Sequence, residues 1–93
     1  MAEMAKATVM VDNAKVRVTE WRFAPGAQTG HHRHEMDYVV VPMTTGDLLT
    51  KDANGEQRAR RVAGEPYFRE AGAEHNVFNP NEHEFVFIEI ETK

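Results

Sequence analysis

Apolar and polar positions along this chain change over short runs, and no stretch sustains a helical period. Ala7 to Val11 is apolar and partly β-branched, which predicts a first strand closed by an Asp12-Asn13 turn. From Lys15 to Phe23, Val16 and Val18 alternate with Lys15, Arg17 and Thr19, the pattern of a half-buried strand. Trp21 and Phe23 then fall on the opposite parity, which calls for either a bulge or two partly covered faces. Tyr38 to Val41 is a continuous apolar run and predicts a strand buried on both faces, with Pro42 ending its ladder or sitting at a bulge. Leu48 to Lys51 and Glu56 to Val62 flank Asp52–Gly55, where Asn54-Gly55 suits the left-handed positions of a tight hairpin. Tyr67-Phe68, His75 to Phe78 and Phe85 to Ile90 complete the strands, with turns at Glu70–Gly72 and Asn79–Asn81. Turn signals at intervals of about 8–12 residues indicate an all-β sandwich or barrel. Trp21, Phe23, Tyr67, Phe68, Phe78, Phe85 and Phe87 are the core candidates.

Composition narrows this picture. A chain of 93 residues is expected to form one domain over 1–93, with 1–6 a frayed start. A core this small gains from a bound ion or from pairing with a second copy, and apolar strands at both ends suit a homodimer. The net charge of -4 argues against nucleic acid as a partner. The one basic cluster, Arg58, Arg60 and Arg61, reads as a solvated strand face with acids nearby. There are no cysteines, so disulfides, thiolate metal sites and cysteine nucleophiles are excluded. No signal peptide or membrane span is visible, and the expected location is cytoplasmic, with no membrane partner.

Candidate chemistry concentrates in GAQTGHHRHEMDY, residues 26–38. His32 and His34 are two apart, which places both rings on one face of an extended strand, within reach of a shared metal. His75 follows a distant glycine turn and is the candidate third ligand. Three neutral imidazoles hold zinc, iron(II), manganese, nickel or copper, and spacing does not choose among them. His31 points the other way on a strand, toward groups that support the ligands or toward solvent, and Arg33 faces outward. His83 is placed on the surface. Gln28 sits on the loop before the histidines, where it touches a ligand or faces solvent. Tyr38 either donates its hydroxyl to a bound oxyanion or packs in the strand. Met36 and Met43 read as packing residues, Asn79 as a turn residue, and Arg69 and Glu70 as members of ion pairs. Glu35, Asp37 and Glu74 are candidate bases.

Two spaced motifs carry a resemblance. Gly26 is followed by five residues and then His32-Arg33-His34, with Gly46 closing the stretch; Gly64, Gly72, His75 and Asn79 follow in order, with Glu70 where a proline is usual. In this the chain resembles the cupin superfamily in its small single-domain form. The HRHE-x-DYVVVP wording is similar to the short cupins of β-alanine degradation. The resemblance implies a double-stranded β-helix, a jelly-roll barrel whose mouth holds one divalent transition metal (Zn, Fe, Mn or Ni), a small-molecule ligand and a strand-mediated homodimer. It carries His32, His34 and His75 over as the metal ligands. The family's glutamate falls on Tyr38 or Val39, neither a carboxylate. The resemblance then leaves three histidines with solvent, a substitute ligand from Glu35 or Asp37, or a barrel without metal. Two classes of function follow. One is a metal-dependent enzyme, an oxygenase, hydrolase or isomerase, on a small organic acid or amino-acid-derived metabolite. The other is a non-catalytic binding or accessory domain.

Overall fold

A computed structural model describes residues 3–93 and contains, among them, nine strands and no helix. In chain order these are β1 (Lys6–Asp12), β2 (Val16–Phe23), β3 (His32–Arg33), β4 (Tyr38–Pro42), β5 (Gly46–Asp52), β6 (Gly55–Arg61), β7 (Tyr67–Arg69), β8 (Glu74–Phe78) and β9 (Phe85–Thr92). They form two antiparallel sheets in the orders β1-β2-β9-β4-β7 and β3-β8-β5-β6. The fold is an all-β double-stranded β-helix, as the turn spacing and the two motifs indicate. No helix is long and apolar enough to cross a membrane among the described residues.

The core lies between the sheets, on Phe23, Ala27, Tyr38, Val40, Leu48, Val77, Phe85 and Phe87. Strand periodicity decides who enters it. In β2 the inward parity belongs to Thr19, Trp21 and Phe23, while Val16 and Val18 lie on the outer face and are half-buried. The parity conflict is thus resolved by two partly covered faces, and the bulge sits in β1, between Val9 and Val11. In β4 the alternation is strict: Tyr38, Val40 and Pro42 are buried, Val39 and Val41 only half-buried. The expectation of burial on both faces is corrected here, because nothing among the described residues covers the outer side of this sheet. Phe68 leaves the core list for the same reason: it lies between inward Tyr67 and Arg69 and is 59% exposed. Met43 is also exposed and does not pack.

The β5–β6 hairpin forms where expected, but its two-residue loop is Ala53-Asn54. Only Gly55 takes positive φ, and Asp52 Oδ1 accepts the Asn54 N–H. Of the start expected to fray, Met1 and Ala2 lie outside the described residues. Residues 3–5 are tied to Gln28, whose N–H donates to the Glu3 carbonyl and whose carbonyl accepts from Ala5.

One end of the barrel is sealed by Asn79, which is fully buried. Its Nδ2 donates to the carbonyls of Phe23, Ala24 and His83, and its Oδ1 accepts from Asn81. Gly46 has an ordinary φ. It is glycine for space, since a Cβ there meets the Asn81 amide at 3.0 Å. These contacts leave the opposite end of the barrel open.

Candidate metal centre

One ladder and one turn set the open end. In the β3–β8 ladder His32 is directly opposite His75, so the two rings share a face. His34 lies just past β3, held where the chain turns: its N–H donates to the Ala73 carbonyl and its carbonyl accepts from Gly72 N–H. Gly72 has φ +99°, a backbone that side-chain-bearing residues avoid, which lets the chain bend into that clamp. The glycine before His75 therefore fixes His34 as well.

The three Nε2 atoms converge. His32 and His34 Nε2 are 2.9 Å apart, and His34 and His75 Nε2 are 3.1 Å apart. His32 Nδ1 lies 2.9 Å from the Gly30 carbonyl, which can only accept, so the proton belongs on Nδ1 and the Nε2 lone pair faces the centre. Asn76 Oδ1 accepts from Gly30 N–H and Asn76 Nδ2 donates to Gln28 Oε1, so Gln28 braces the loop behind His32. Burial, followed by the charge of His32, holds His34 down to about 3, and the same two causes hold His75 down to about 4. Both rings are thus neutral and available as ligands near neutral pH. Imidazole lone pairs facing each other at this distance repel unless a proton or cation lies between them. With metal–nitrogen bonds of about 2.0–2.1 Å, nitrogens at right angles about a metal stand about 2.9 Å apart and tetrahedral ones about 3.4 Å. The donor set fits a divalent transition metal, which His32, His34 and His75 would hold beside the cavity.

A cavity of about 380 Å³ opens beside the histidines, lined among others by Tyr38, Tyr67, Arg61, Arg69 and Glu89. Tyr38 is buried and stacks on His34, ring centroids 3.9 Å apart. Burial, reinforced by Glu89, pushes its hydroxyl pKa up, so it stays a neutral donor. Glu89 Oε1 is 3.7 Å from His34 Nδ1, on the side away from the triad. Burial, with Glu91 adding to it, raises the Glu89 carboxyl to about 7. His34, Glu89 and Glu91 form a second group with donor atoms close enough for one ion. Because His34 Nε2 is committed to the histidine triad, Glu89 is better placed to orient that ring than to replace the absent glutamate.

Other expected site residues lie elsewhere. Glu35 is exposed and belongs to neither ligand group. Asp37 is exposed; its Oδ1 accepts the Ala71 N–H and its carbonyl accepts from Thr92. Its carboxylate is occupied in bracing a turn, which corrects its candidacy as a substitute ligand. His31 is exposed and meets Glu74 at 2.9 Å on the outer surface, which removes Glu74 as a base at the triad. His83 reaches the Thr45 carbonyl, at the sealed end. Arg33 faces solvent. The basic cluster divides: Arg58 and Arg60 pair with Asp47, whereas Arg61 turns inward and stacks on Tyr67, its guanidinium carbon 3.7 Å from the ring centroid. Arg69 makes no ion pair among the described residues and also lines the cavity. Glu89 was the functional residue least visible in the sequence. Its signal is parity, since Phe85, Phe87, Glu89 and Glu91 share the core face of one apolar strand.

No family model matches the chain. It is 63% identical over 86 residues to the β-alanine degradation protein BauB of Pseudomonas aeruginosa, covering 92% of this chain and 90% of that protein. The crystal structure of a cupin domain from Bordetella pertussis Tohama I superposes with a TM-score of 0.98 at 55% identity, covering 100% of this chain and 97% of that one. The chain belongs to the cupin superfamily. More distant solved structures share the fold alone. The polyketide cyclase RemF from Streptomyces resistomycificus matches at 16% identity and a TM-score of 0.75, over 98% of this chain and 68% of its own. Cupin architecture accounts for what the geometry shows: two glycine-led motifs meet at one barrel mouth and deliver three imidazoles to one point.

Proposed function

We propose that this cupin holds one divalent transition metal on His32, His34 and His75 and acts on a small organic acid or amino-acid-derived metabolite. The observation that carries this is the convergence of three Nε2 atoms at 2.9 and 3.1 Å beside a small cavity. A bound ion there supplies Lewis acidity for hydrolytic or isomerising chemistry, and a redox-active one extends this to oxygen. The chain's own groups then bind and orient: Tyr38 offers its hydroxyl, and Glu89 faces Nδ1 of the His34 ring. The name of the relative BauB, a β-alanine degradation protein, supports the amino-acid-derived substrate class.

The alternative, a binding or accessory cupin without turnover, is favoured by one observation. The family's carboxylate position falls on Tyr38 or Val39, and neither is a carboxylate, so that fourth protein ligand has no counterpart here. Metal analysis of untagged protein tests the site: about one ion per chain is expected, lost in His32→Ala, His34→Ala and His75→Ala. Full occupancy in all three variants contradicts it. Oxygen-uptake and hydrolysis screens with small carboxylates then separate the classes, and silence in both with retained ligand binding supports the accessory role.

We also infer a homodimer. Strand β1 is exposed over its whole length and presents Val9, Met10 and Val11 at 57, 56 and 44% exposure. Across the outer face, Val11, Val18, Ile90, Val39 and Phe68 form one apolar cross-strand row. A second copy presents the same free edge and row, the condition for a two-fold interface. Light scattering at micromolar concentration is expected to give twice the chain mass; a monomer mass contradicts it.

A further inference from the structure

We propose that Arg61 and Arg69, one on each sheet, form a clamp for a carboxylate of the ligand and set its orientation relative to the histidines. The proposal rests on reading this cavity as the ligand site and adds the group that recognises the ligand's charge. Arg61 is opposite Gly46 at the end of β6, and Arg69 is opposite Tyr38 in β7, so both lie on the inward parity of their strands. The Tyr67 ring stands by both guanidinium groups, whose carbons are 3.7 and 5.8 Å from its centroid. Arg61 is thereby held flat against an aromatic face, which limits the freedom it loses when it binds.

Neither guanidinium has an acidic partner among the described residues, in contrast to Arg58 and Arg60, which share Asp47. Arg61 Nε is buried and makes no hydrogen bond. A buried charged donor without an acceptor is costly, and an entering carboxylate relieves that cost with a fork-shaped pair of bonds. The acid that lines the cavity among the described residues, Glu89, lies against His34 rather than against either arginine. The other titratable groups lining the space are Arg58, which is paired with Asp47, and His34, His75, Tyr38 and Tyr67, none of which supplies a negative charge near neutral pH. The cavity thus presents two unmatched positive charges opposite the imidazoles. The ligand class that fits is a small acid with a carboxylate at one end and a second oxygen or nitrogen donor at the other, directed at the triad.

Calorimetric titration of EDTA-treated protein with malonate and propionate, and with neutral propionamide for comparison, tests the clamp apart from the metal. The acids are expected to bind and the amide not to. Arg61→Gln and Arg69→Gln are each expected to weaken acid binding by about tenfold or more. Arg61→Lys, which keeps the charge and loses the fork, should fall between, and Arg60→Gln, on the outer face, should match the parent. Equal binding of acid and amide, absence of acid binding, or full acid affinity in both glutamine variants overturns the clamp. Zinc content of the same proteins after EDTA is removed and one equivalent of zinc is added back separates the two readings. Arginine-dependent acid binding without zinc uptake supports the clamp and removes the metal site; zinc uptake without arginine dependence does the reverse.

Discussion

The two ends of this barrel are built from the same strands and have opposite chemistry. Strand β9 carries Phe85 and Phe87 toward the sealed end and Glu89 and Glu91 toward the open one. Strand β4 runs from buried Tyr38 at the open end to Pro42, and β8 starts beside His75 and leads on to Asn79. At the sealed end Phe23, Phe85 and Asn79 are completely buried, and the Asn79 side chain has partners for both its amide nitrogen and its oxygen. At the open end His34, His75 and Glu89 are nearly as buried, yet all three have displaced pKa values and Arg61 Nε has no partner. Burial is similar at both ends, so burial does not separate scaffold from site. Satisfaction does: one end has matched its polar groups internally, and the other holds donors and lone pairs that need something from outside.

The strongest way to break this contrast is at the sealed end. Phe85→Ala removes a fully buried ring and is expected to destabilise the fold by about 3–5 kcal/mol, read by urea unfolding. His75→Ala at the open end should cost far less in the metal-free protein at neutral pH. Equal losses at the two sites would erase the distinction.

A smaller effect sharpens the comparison through pH. His34 and His75 titrate at about 3 and about 4 in the fold, against 6.5 for a free histidine. Below pH 6.5 the unfolded chain therefore takes up two protons that the fold refuses, and stability falls as pH drops toward 4. Glu89 acts in the opposite sense, because the fold holds its proton to about pH 7 whereas the unfolded chain releases it above 4.5. Its contribution is present below 4.5 and lost as pH rises through 7. Two histidines outweigh one carboxyl, so metal-free protein should lose stability between pH 6.5 and 4.5, and Glu89→Gln should make that slope steeper. Urea midpoints across this range give the answer; a flat profile, or a shallower slope in Glu89→Gln, contradicts the sign.

Much of this was legible in the residues, because strand parity and turn chemistry are local properties. The breaks at Asp52–Gly55, Glu70–Gly72 and Asn79–Asn81 fall where strands stop, and His32-x-His34 announces two rings on one face. Partner identity was not legible. The apolar run at Tyr38–Val41 has the same appearance whether its outer face is covered or not, and only the burial along the strand shows that face half-exposed. Arg58, Arg60 and Arg61 look alike in sequence, but the β5–β6 register turns two toward Asp47 and one toward Tyr67. Glu89 carried a readable signal, since a carboxylate on the parity of Phe85 and Phe87 has nowhere to go except the interior. Asp37 misled for a local reason: it lies in the histidine stretch, but its carboxylate serves the Ala71 N–H.

X-ray absorption on protein loaded with one equivalent of zinc tests the three-imidazole centre most directly. The expected spectrum has three imidazole nitrogens at about 2.0–2.1 Å, with oxygen ligands completing the shell, and His75→Ala reduces the imidazole count to two or abolishes loading. A loaded ion surrounded by oxygen alone, or a spectrum unchanged by His75→Ala, contradicts it.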